Sequence, residues 1–220
     1  MNEKKPEKDN RDFYDRISQA YDLLADASEQ EARRVCEGLL DAKPGESILE
    51  IGFGTGHSLL ALAKAVTSTG TVHGIDVSSG MRDVAQARIE EAGVADHVIL
   101  RIGDARHLPY ANQSMDGVFM SFTLELFPLE EIPSVLSEIK RVLRPTGRFA
   151  NVSMAAVKPG ESPSLLERSY VWMHQHFPHI VDCQPIDVEQ LLTTAKLRVV
   201  ETKQLDIWTM PCLAVKAFVH

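Results

Sequence analysis

Short apolar strand patterns alternate with helical patterns through the first two thirds of this chain, and this alternation restricts the fold more than any other feature. Strands are predicted at residues 47–51, 71–77, 97–102, 115–121 and 148–154. Helices are predicted at residues 58–66, 79–92 and 130–143, with a proline/glycine stop at residues 144–147. Strands that alternate with helices of this length form a parallel sheet with crossover helices.

The carboxyl-terminal part departs from that alternation. A short helix is predicted at residues 188–195, followed by strands at residues 197–207 and 212–219. The link between these two strands is short, and a short link joins antiparallel neighbours.

The amino-terminal part begins with a mixed-charge stretch that cannot bury apolar area, so we expect a flexible tail over residues 1–11. Helical patterns follow at residues 13–24 and 29–40. We expect one domain over residues 12–220, with lid elements at residues 12–41 and 155–186.

Composition restricts the partners and the compartment. The chain has 23 Lys and Arg against 31 Asp and Glu, a formal net charge of -8, which argues against general nucleic-acid binding. The three cysteines are far apart and show no CxxC spacing, which is typical of reduced thiols in a cytoplasmic protein. We find no signal-peptide pattern and no apolar run long enough to span a membrane.

A glycine loop follows the first predicted strand and opens a helix. Gly52, Gly54 and Gly56 stand in the sequence EIGFGTGH, and a helix that starts after such a loop offers unpaired N–H groups to a ligand. The spacing is G-x-G-x-G, which differs from the dinucleotide fingerprint G-x-G-x-x-G, and no G-K-S/T follows. Glu50 precedes the loop and would repel a pyrophosphate. A cationic ligand fits better, and this favours S-adenosylmethionine over NAD.

Two further acids follow the next two strands. Asp76 ends the second strand, where a carboxylate can accept both hydroxyls of a ribose. Asp104 follows the third strand within Gly103-Asp104-Ala105, where it can accept from the exocyclic amine of adenine. Three acids at three successive strand ends, beside a glycine loop, indicate a nucleoside site.

These motifs resemble those of the class I S-adenosylmethionine-dependent methyltransferases. The matching stretches are ILEIGFGTG from Ile48, GIDVS with Asp76, IGDARHLPY with Asp104, SMDGVFMS, and KRVLRPTGRF from Lys140. The order LPY then SMD, and the amino-terminal FYDRISQAYDLL, are similar to the ubiquinone/menaquinone C-methyltransferase branch. One departure is Lys196-Leu197, which replaces the usual Gly-Phe before the sixth strand.

The resemblance implies an α/β fold: a Rossmann-like, doubly wound, seven-stranded mixed sheet with helices on both faces. The implied strand order is 3-2-1-4-5-7-6 with strand 7 antiparallel, in agreement with the two-strand carboxyl terminus. It also implies a cofactor site in which Tyr14 and Tyr21 close over the ligand. The residues that we expect to contact S-adenosylmethionine are Tyr14, Tyr21, Glu50, Gly52, Phe53, Gly54, Gly56, Asp76, Val77, Met81, Gly103, Asp104, Ala105 and Ser121.

The catalytic candidates are Glu125, His174 and Tyr21. Glu125 follows the fourth strand and is either a residue at the cofactor edge, a base, or a solvent-facing carboxylate. His174, His176 and His179, with Cys183, have metal-ligand chemistry, but a helix would place His174 and His176 on different faces, so we expect no metal. A lid histidine near the acceptor, or ordinary packing and surface histidines, are the other interpretations.

The predicted function is in-line methyl transfer to a small, apolar or quinol-like acceptor, with a homodimer left open. In such a displacement the enzyme mainly aligns the reactants and excludes water. One alternative is a methyltransferase of proteins or other macromolecules, although the N/D-P-P-Y/F signature of amino-methylating enzymes is absent from Ser121-Phe122-Thr123-Leu124. Another is a non-catalytic, cofactor-binding scaffold protein.

Overall fold

The strands form one mixed sheet in the order β3-β2-β1-β4-β5-β7-β6. The protein is seen in a computed structural model that describes residues 26–156, 184–207 and 210–219. Strands β1 to β5 pair in parallel, and β7 is antiparallel to both β5 and β6, as the sequence predicts. The strands are β1 (Ser47–Ile51), β2 (Thr71–Asp76), β3 (Val98–Ile102), β4 (Met115–Ser121), β5 (Leu143–Met154), β6 (Leu197–Ile207) and β7 (Met210–Val219).

Helices cover both faces of the sheet, because the side chains of each buried strand alternate between two cores. In β1, Leu49 belongs to the core beneath α4 and α5, and Ile48 belongs to the core beneath the other three helices. The helices are α1 (Asp26–Leu40), α2 (His57–Val66), α3 (Ser79–Glu91), α4 (Ile132–Val142) and α5 (Val188–Thr194).

Strand β5 starts five residues earlier than predicted. Residues 144–147, expected to be a stop after α4, lie within the strand, and the register with β4 shifts between Met115↔Leu143 and Gly117↔Arg148. Arg148 ends this irregular stretch and is buried. Its guanidinium pairs with Glu46 at 2.6 Å and donates to the carbonyl oxygens of Leu40 and Asp41. These long-range contacts hold the irregular stretch in the sheet.

Helix α1 is part of the core rather than a surface element. Its Cys36, Leu39 and Leu40 are buried against the sheet. The remaining segments of the predicted lid, residues 12–25 and 157–183, lie outside the described residues, as does the tail at residues 1–11. In the part of the chain that is described, no helix is long and apolar enough to cross a membrane.

Candidate functional site

The glycine loop between β1 and α2 has a left-handed backbone at all three glycines. The φ angles are +70° at Gly52, +51° at Gly54 and +87° at Gly56, a region that side chains with a Cβ rarely adopt. A Cβ on Gly52 would lie 2.3 Å from Cγ2 of Thr123, so this residue also needs to be glycine for packing. A Cβ on Gly54 would meet nothing within 4 Å, so the loop leaves open space at that point.

Asp76 is held by the backbone on both sides. Its Oδ2 accepts from the N–H of Gly54 and its Oδ1 from the N–H of Ser78, each at 2.9 Å. Ser78 in turn caps α3 by accepting from the N–H of Met81 at 3.1 Å. These two donors fix the orientation of the Asp76 carboxylate, and a carboxylate is an acceptor of the kind that ribose hydroxyls need.

Asp104 lies close to this group, because the N–H of Gly103 donates to the carbonyl oxygen of Asp76 at 2.9 Å. The guanidinium of Arg106 forms an ion pair with the Asp104 carboxylate, and its Nη2 donates to Oδ2 at 2.6 Å. The motif indicated Asp104 but gave no sign of this arginine as its partner. Ala105, also predicted to contact the cofactor, is buried.

Glu50 is buried at the end of β1, and burial raises the pKa of its carboxyl group well above the usual value. The neighbouring Glu37 adds to the rise, and Arg33 and a hydrogen bond with Ser58 oppose it. Among the residues that the structure describes, Oε2 of Glu50 has no hydrogen-bond partner. The site therefore contains a buried acid that a cationic ligand would complement.

Glu37 and Ser58 were not predicted as site residues. Burial also raises the pKa of the Glu37 carboxyl group, and the nearby Ser58 lowers the pKa of both Glu37 and Glu50. Glu37 lies on α1, 13 positions before Glu50, and no motif connects the two in the sequence.

Apolar side chains border the acids at the edge formed by β2 and β3. Val77 is 46% exposed directly after Asp76, and Ile102, the β3 partner of Asp76, is 37% exposed. Exposed aliphatic groups beside fixed carboxylates suit a flat base attached to a ribose. The side chains of Phe53 and Met81, in contrast, are buried in the structure, so we expect any cofactor contact from these two residues to come from the backbone.

The end of β4 carries the other candidates. Ser121 is half-buried and ends the strand. Glu125 is buried, which excludes the solvent-facing interpretation, and its Oε1 accepts from the N–H of Met154 at 3.1 Å. Glu125 thus connects the ends of β4 and β5, where an acceptor would meet a cofactor lying over the glycine loop.

Several predicted residues lie outside the described residues. These are Tyr14, Tyr21, His174, His176, His179 and Cys183. Within the described ranges, no group of three or more His, Cys, Asp or Glu side chains could hold a metal ion.

Comparison with known proteins agrees with this geometry. The family described as "Methyltransferase domain" matches residues 48–147, which run from β1 to the start of β5. The demethylmenaquinone methyltransferase of Symbiobacterium thermophilum is 33% identical over 153 residues, and that of Lactobacillus johnsonii is 36% identical over 152 residues. The chain contains a class I S-adenosylmethionine-dependent methyltransferase domain. The alignments cover 68% and 67% of this chain but only 59% and 62% of the two relatives.

Solved structures share the fold of this chain. An S-adenosylmethionine-dependent methyltransferase from Aquifex aeolicus superimposes with a TM-score of 0.70 at 22% identity, covering 94% of this chain and 98% of its own. A [4+2]-cyclase superimposes with a TM-score of 0.69 at 16% identity, covering 94% of this chain and 96% of its own. Because these identities are low, the superpositions describe the fold alone.

Proposed function

We propose that this protein transfers the methyl group of S-adenosylmethionine to a small, apolar or quinol-like acceptor. The observation that carries the proposal is the arrangement of Glu50, Asp76 and Asp104 at the ends of β1, β2 and β3, around a glycine loop with open space at Gly54. A cationic amino acid, a ribose and an adenine each meet a complementary acid in this arrangement.

Each acid has its own part of the cofactor to hold. Glu50 complements the ammonium of the methionyl group, because a buried carboxyl whose Oε2 has no partner among the described residues gains most from a positive charge. Asp76 accepts the ribose hydroxyls, with Gly54 and Ser78 fixing its orientation. Asp104 accepts from the adenine amine, and Val77 and Ile102 contact the base.

The acceptor would lie over the ends of β4 and β5. Methyl transfer from a sulfonium needs the nucleophile, the methyl carbon and the sulfur in line, so positioning and exclusion of water carry most of the catalysis. Glu125 supports the position of the acceptor edge through Met154 and is a candidate for its proton, together with His174 and Tyr21. The lids over residues 12–41 and 155–186 are part of the proposal, except for α1, which is anchored in the core.

The quinol-like acceptor is supported by the two relatives, whose names give demethylmenaquinone as the substrate. The fold by itself is also compatible with chemistry other than methyl transfer, since one solved structure of this fold is a [4+2]-cyclase. A scaffold that binds the cofactor without transferring its methyl group, or a macromolecule methyltransferase, would share the site that is described. A cytoplasmic location, a homodimer and the absence of nucleic acid as a partner also remain proposals.

Two measurements test the proposal in sequence. Calorimetry with S-adenosylmethionine and S-adenosylhomocysteine should give binding below millimolar concentrations, and failure of both ligands to bind would contradict the cofactor assignment. Transfer of a labelled methyl group is then measured with quinols, phenols, amines and a mixture of proteins and RNA as acceptors. Label in a quinol or phenol supports the proposal. Label only in macromolecules, or in nothing, favours one of the two alternatives.

A further inference from the structure

Arg106 surrounds one side of the Asp104 carboxylate with three of its own donors. The backbone N–H donates to Oδ1 at 2.8 Å, Nε lies 3.0 Å from Oδ1 and 2.9 Å from Oδ2, and Nη2 donates to Oδ2 at 2.6 Å. Both side chains are partly buried, with exposed fractions of 23% for Arg106 and 33% for Asp104. A planar guanidinium that binds a carboxylate in this two-pronged way restricts the rotation of both groups.

The other end of the guanidinium is also anchored. Its Nη1 donates to Oε2 of Glu131 at 2.7 Å, and Glu131 immediately precedes α4. Arg106 therefore lies between two carboxylates and connects the loop after β3 to a helix that is packed on the sheet. Asp104 cannot turn toward solvent without breaking this chain of ion pairs.

The count of lone pairs limits what else Asp104 can accept. A carboxylate has about four lone-pair sites, and the three Arg106 donors, one of them shared between both oxygens, occupy most of these sites, so that at most one more donor can be accepted from a ligand. A single N–H donor fits that position, as the exocyclic amine of adenine would. A carbonyl oxygen in the same place would meet a negatively charged acceptor and be repelled.

We propose that Arg106 is a positioning residue that makes the base subsite selective for a purine with an amine, and that Glu131 supports it from the outer side. The inference rests on the proposed function, because it takes Asp104 as the residue that reads the base. Arg106 acts through Asp104 and needs no contact with the cofactor.

The test compares two ligands that differ only at the base. S-adenosylhomocysteine carries an amine at position 6 of the purine, and S-inosylhomocysteine carries an oxygen there. Dissociation constants for both are measured by calorimetry with the parent protein and with Arg106→Met, Arg106→Lys and Glu131→Gln. The ratio of the two dissociation constants measures the selectivity of the base subsite. A general loss of stability would weaken the binding of both ligands alike and leave this ratio unchanged.

Arg141 supplies the matched control. It anchors the same loop by donating to the carbonyl oxygens of Leu108 and Tyr110, and it pairs with Glu138 on α4, but none of its contacts involves Asp104. The variant Arg141→Met removes these hydrogen bonds to the loop and leaves the contacts of Asp104 in place. Any fall in affinity should therefore be equal for the two ligands.

We expect the parent to prefer the adenine ligand by about tenfold or more, the scale of one hydrogen bond to a charged group. Arg106→Met should reduce the ratio to about threefold or less, with Arg106→Lys and Glu131→Gln in between. If Arg106→Met does not fold, Arg106→Lys and Glu131→Gln decide the question.

An unchanged ratio of dissociation constants in the folded variants, or an equal fall of this ratio in Arg141→Met, would overturn the inference while leaving the proposed function in place. If the parent binds neither ligand, the proposed function fails, and the inference fails with it.

Discussion

The backbone N–H of Gly54 donates a hydrogen bond of 2.9 Å to Oδ2 of Asp76, and this contact joins the glycine loop after β1 to the end of β2. The carboxylate that is proposed to hold the ribose thus also holds the loop that the cofactor would lie against. Two motifs separated by 22 positions in the chain are thus joined directly in the folded protein.

Replacing Asp76 with alanine should weaken binding of S-adenosylmethionine by about 1–3 kcal/mol, because charge-assisted hydrogen bonds to the ribose are lost together with the support of the loop. Calorimetry measures the change. Asp83→Ala is the control: Asp83 is an exposed aspartate on α3 that pairs only with the adjacent Arg82 among the contacts described for it. If the Asp76 variant binds as tightly as this control, the ribose site is wrong.

Cofactor binding should become tighter as the pH rises, because Glu50 must lose a proton to hold an ammonium group. Burial raises the pKa of Glu50 well above its usual value, with Glu37 and Asp76 adding to the rise and Arg33 and Ser58 opposing it. Calorimetry from about pH 5 to pH 9 should show this increase in the parent and a weaker, flatter profile in Glu50→Gln. Glu31→Gln is the control, because Glu31 is exposed and lies on the same helix as Glu37. This variant should show the same pH dependence of cofactor binding as the parent.

Glu50 should also make the stability of the cofactor-free protein depend on pH. The folded-state pKa of Glu50 is raised, so the folded protein binds this proton more tightly than the unfolded chain does. Its contribution to stability is full below the ordinary Glu pKa of about 4.3 and is lost as the pH rises through the raised value. The free energy of unfolding of Glu50→Gln should therefore exceed that of the parent by about 1–3 kcal/mol at the high-pH end. Urea titrations at several pH values measure this, and an equal pH dependence of the two proteins would contradict it.

Lys196→Gly should stabilise the protein by about 1 kcal/mol. Lys196 follows α5 with a φ of +59°, a left-handed conformation that costs a residue with a Cβ about 1–2 kcal/mol, of which glycine recovers the larger part. Its N–H donates to the carbonyl oxygen of Thr193, a contact that glycine keeps. Lys64→Gly, within α2, is the opposite control and should destabilise by about 1 kcal/mol. Thermal unfolding should show a higher melting temperature than the parent for Lys196→Gly and a lower one for Lys64→Gly.

Arg148→Met should destabilise the protein by about 2–4 kcal/mol, because it removes the buried charged partner of Glu46 and the donor to the carbonyl oxygens of Leu40 and Asp41. Glu46 retains the hydrogen bond from the N–H of Lys43. Arg144→Met is the matched control. Arg144 lies in the same strand and pairs with Asp116, but its side chain is 44% exposed, so we expect a loss below about 1 kcal/mol. Similar losses in the two variants would show that Arg148 does not anchor the irregular part of β5.

The local elements were predictable from the sequence because their signals are local. The apolar run over Ser47–Ile51 and the Gly52, Gly54 and Gly56 loop that follows it depend on neighbouring residues. The positions of Asp76 and Asp104 at strand ends follow from the same periodicity. Since parallel strands bring their carboxyl ends to one edge, this pattern already placed these acids near each other.

Tertiary structure decided what those residues are bonded to. The strand that begins at Leu143 instead of residue 148 depends on Arg148 meeting Glu46, 102 positions earlier in the chain. The rise that Glu37 adds to the pKa of Glu50 depends on α1 packing beside α2. Periodicity along the chain determines the elements and their order, whereas the charge and orientation of a buried carboxyl depend on whichever donors the folded chain brings within hydrogen-bonding distance.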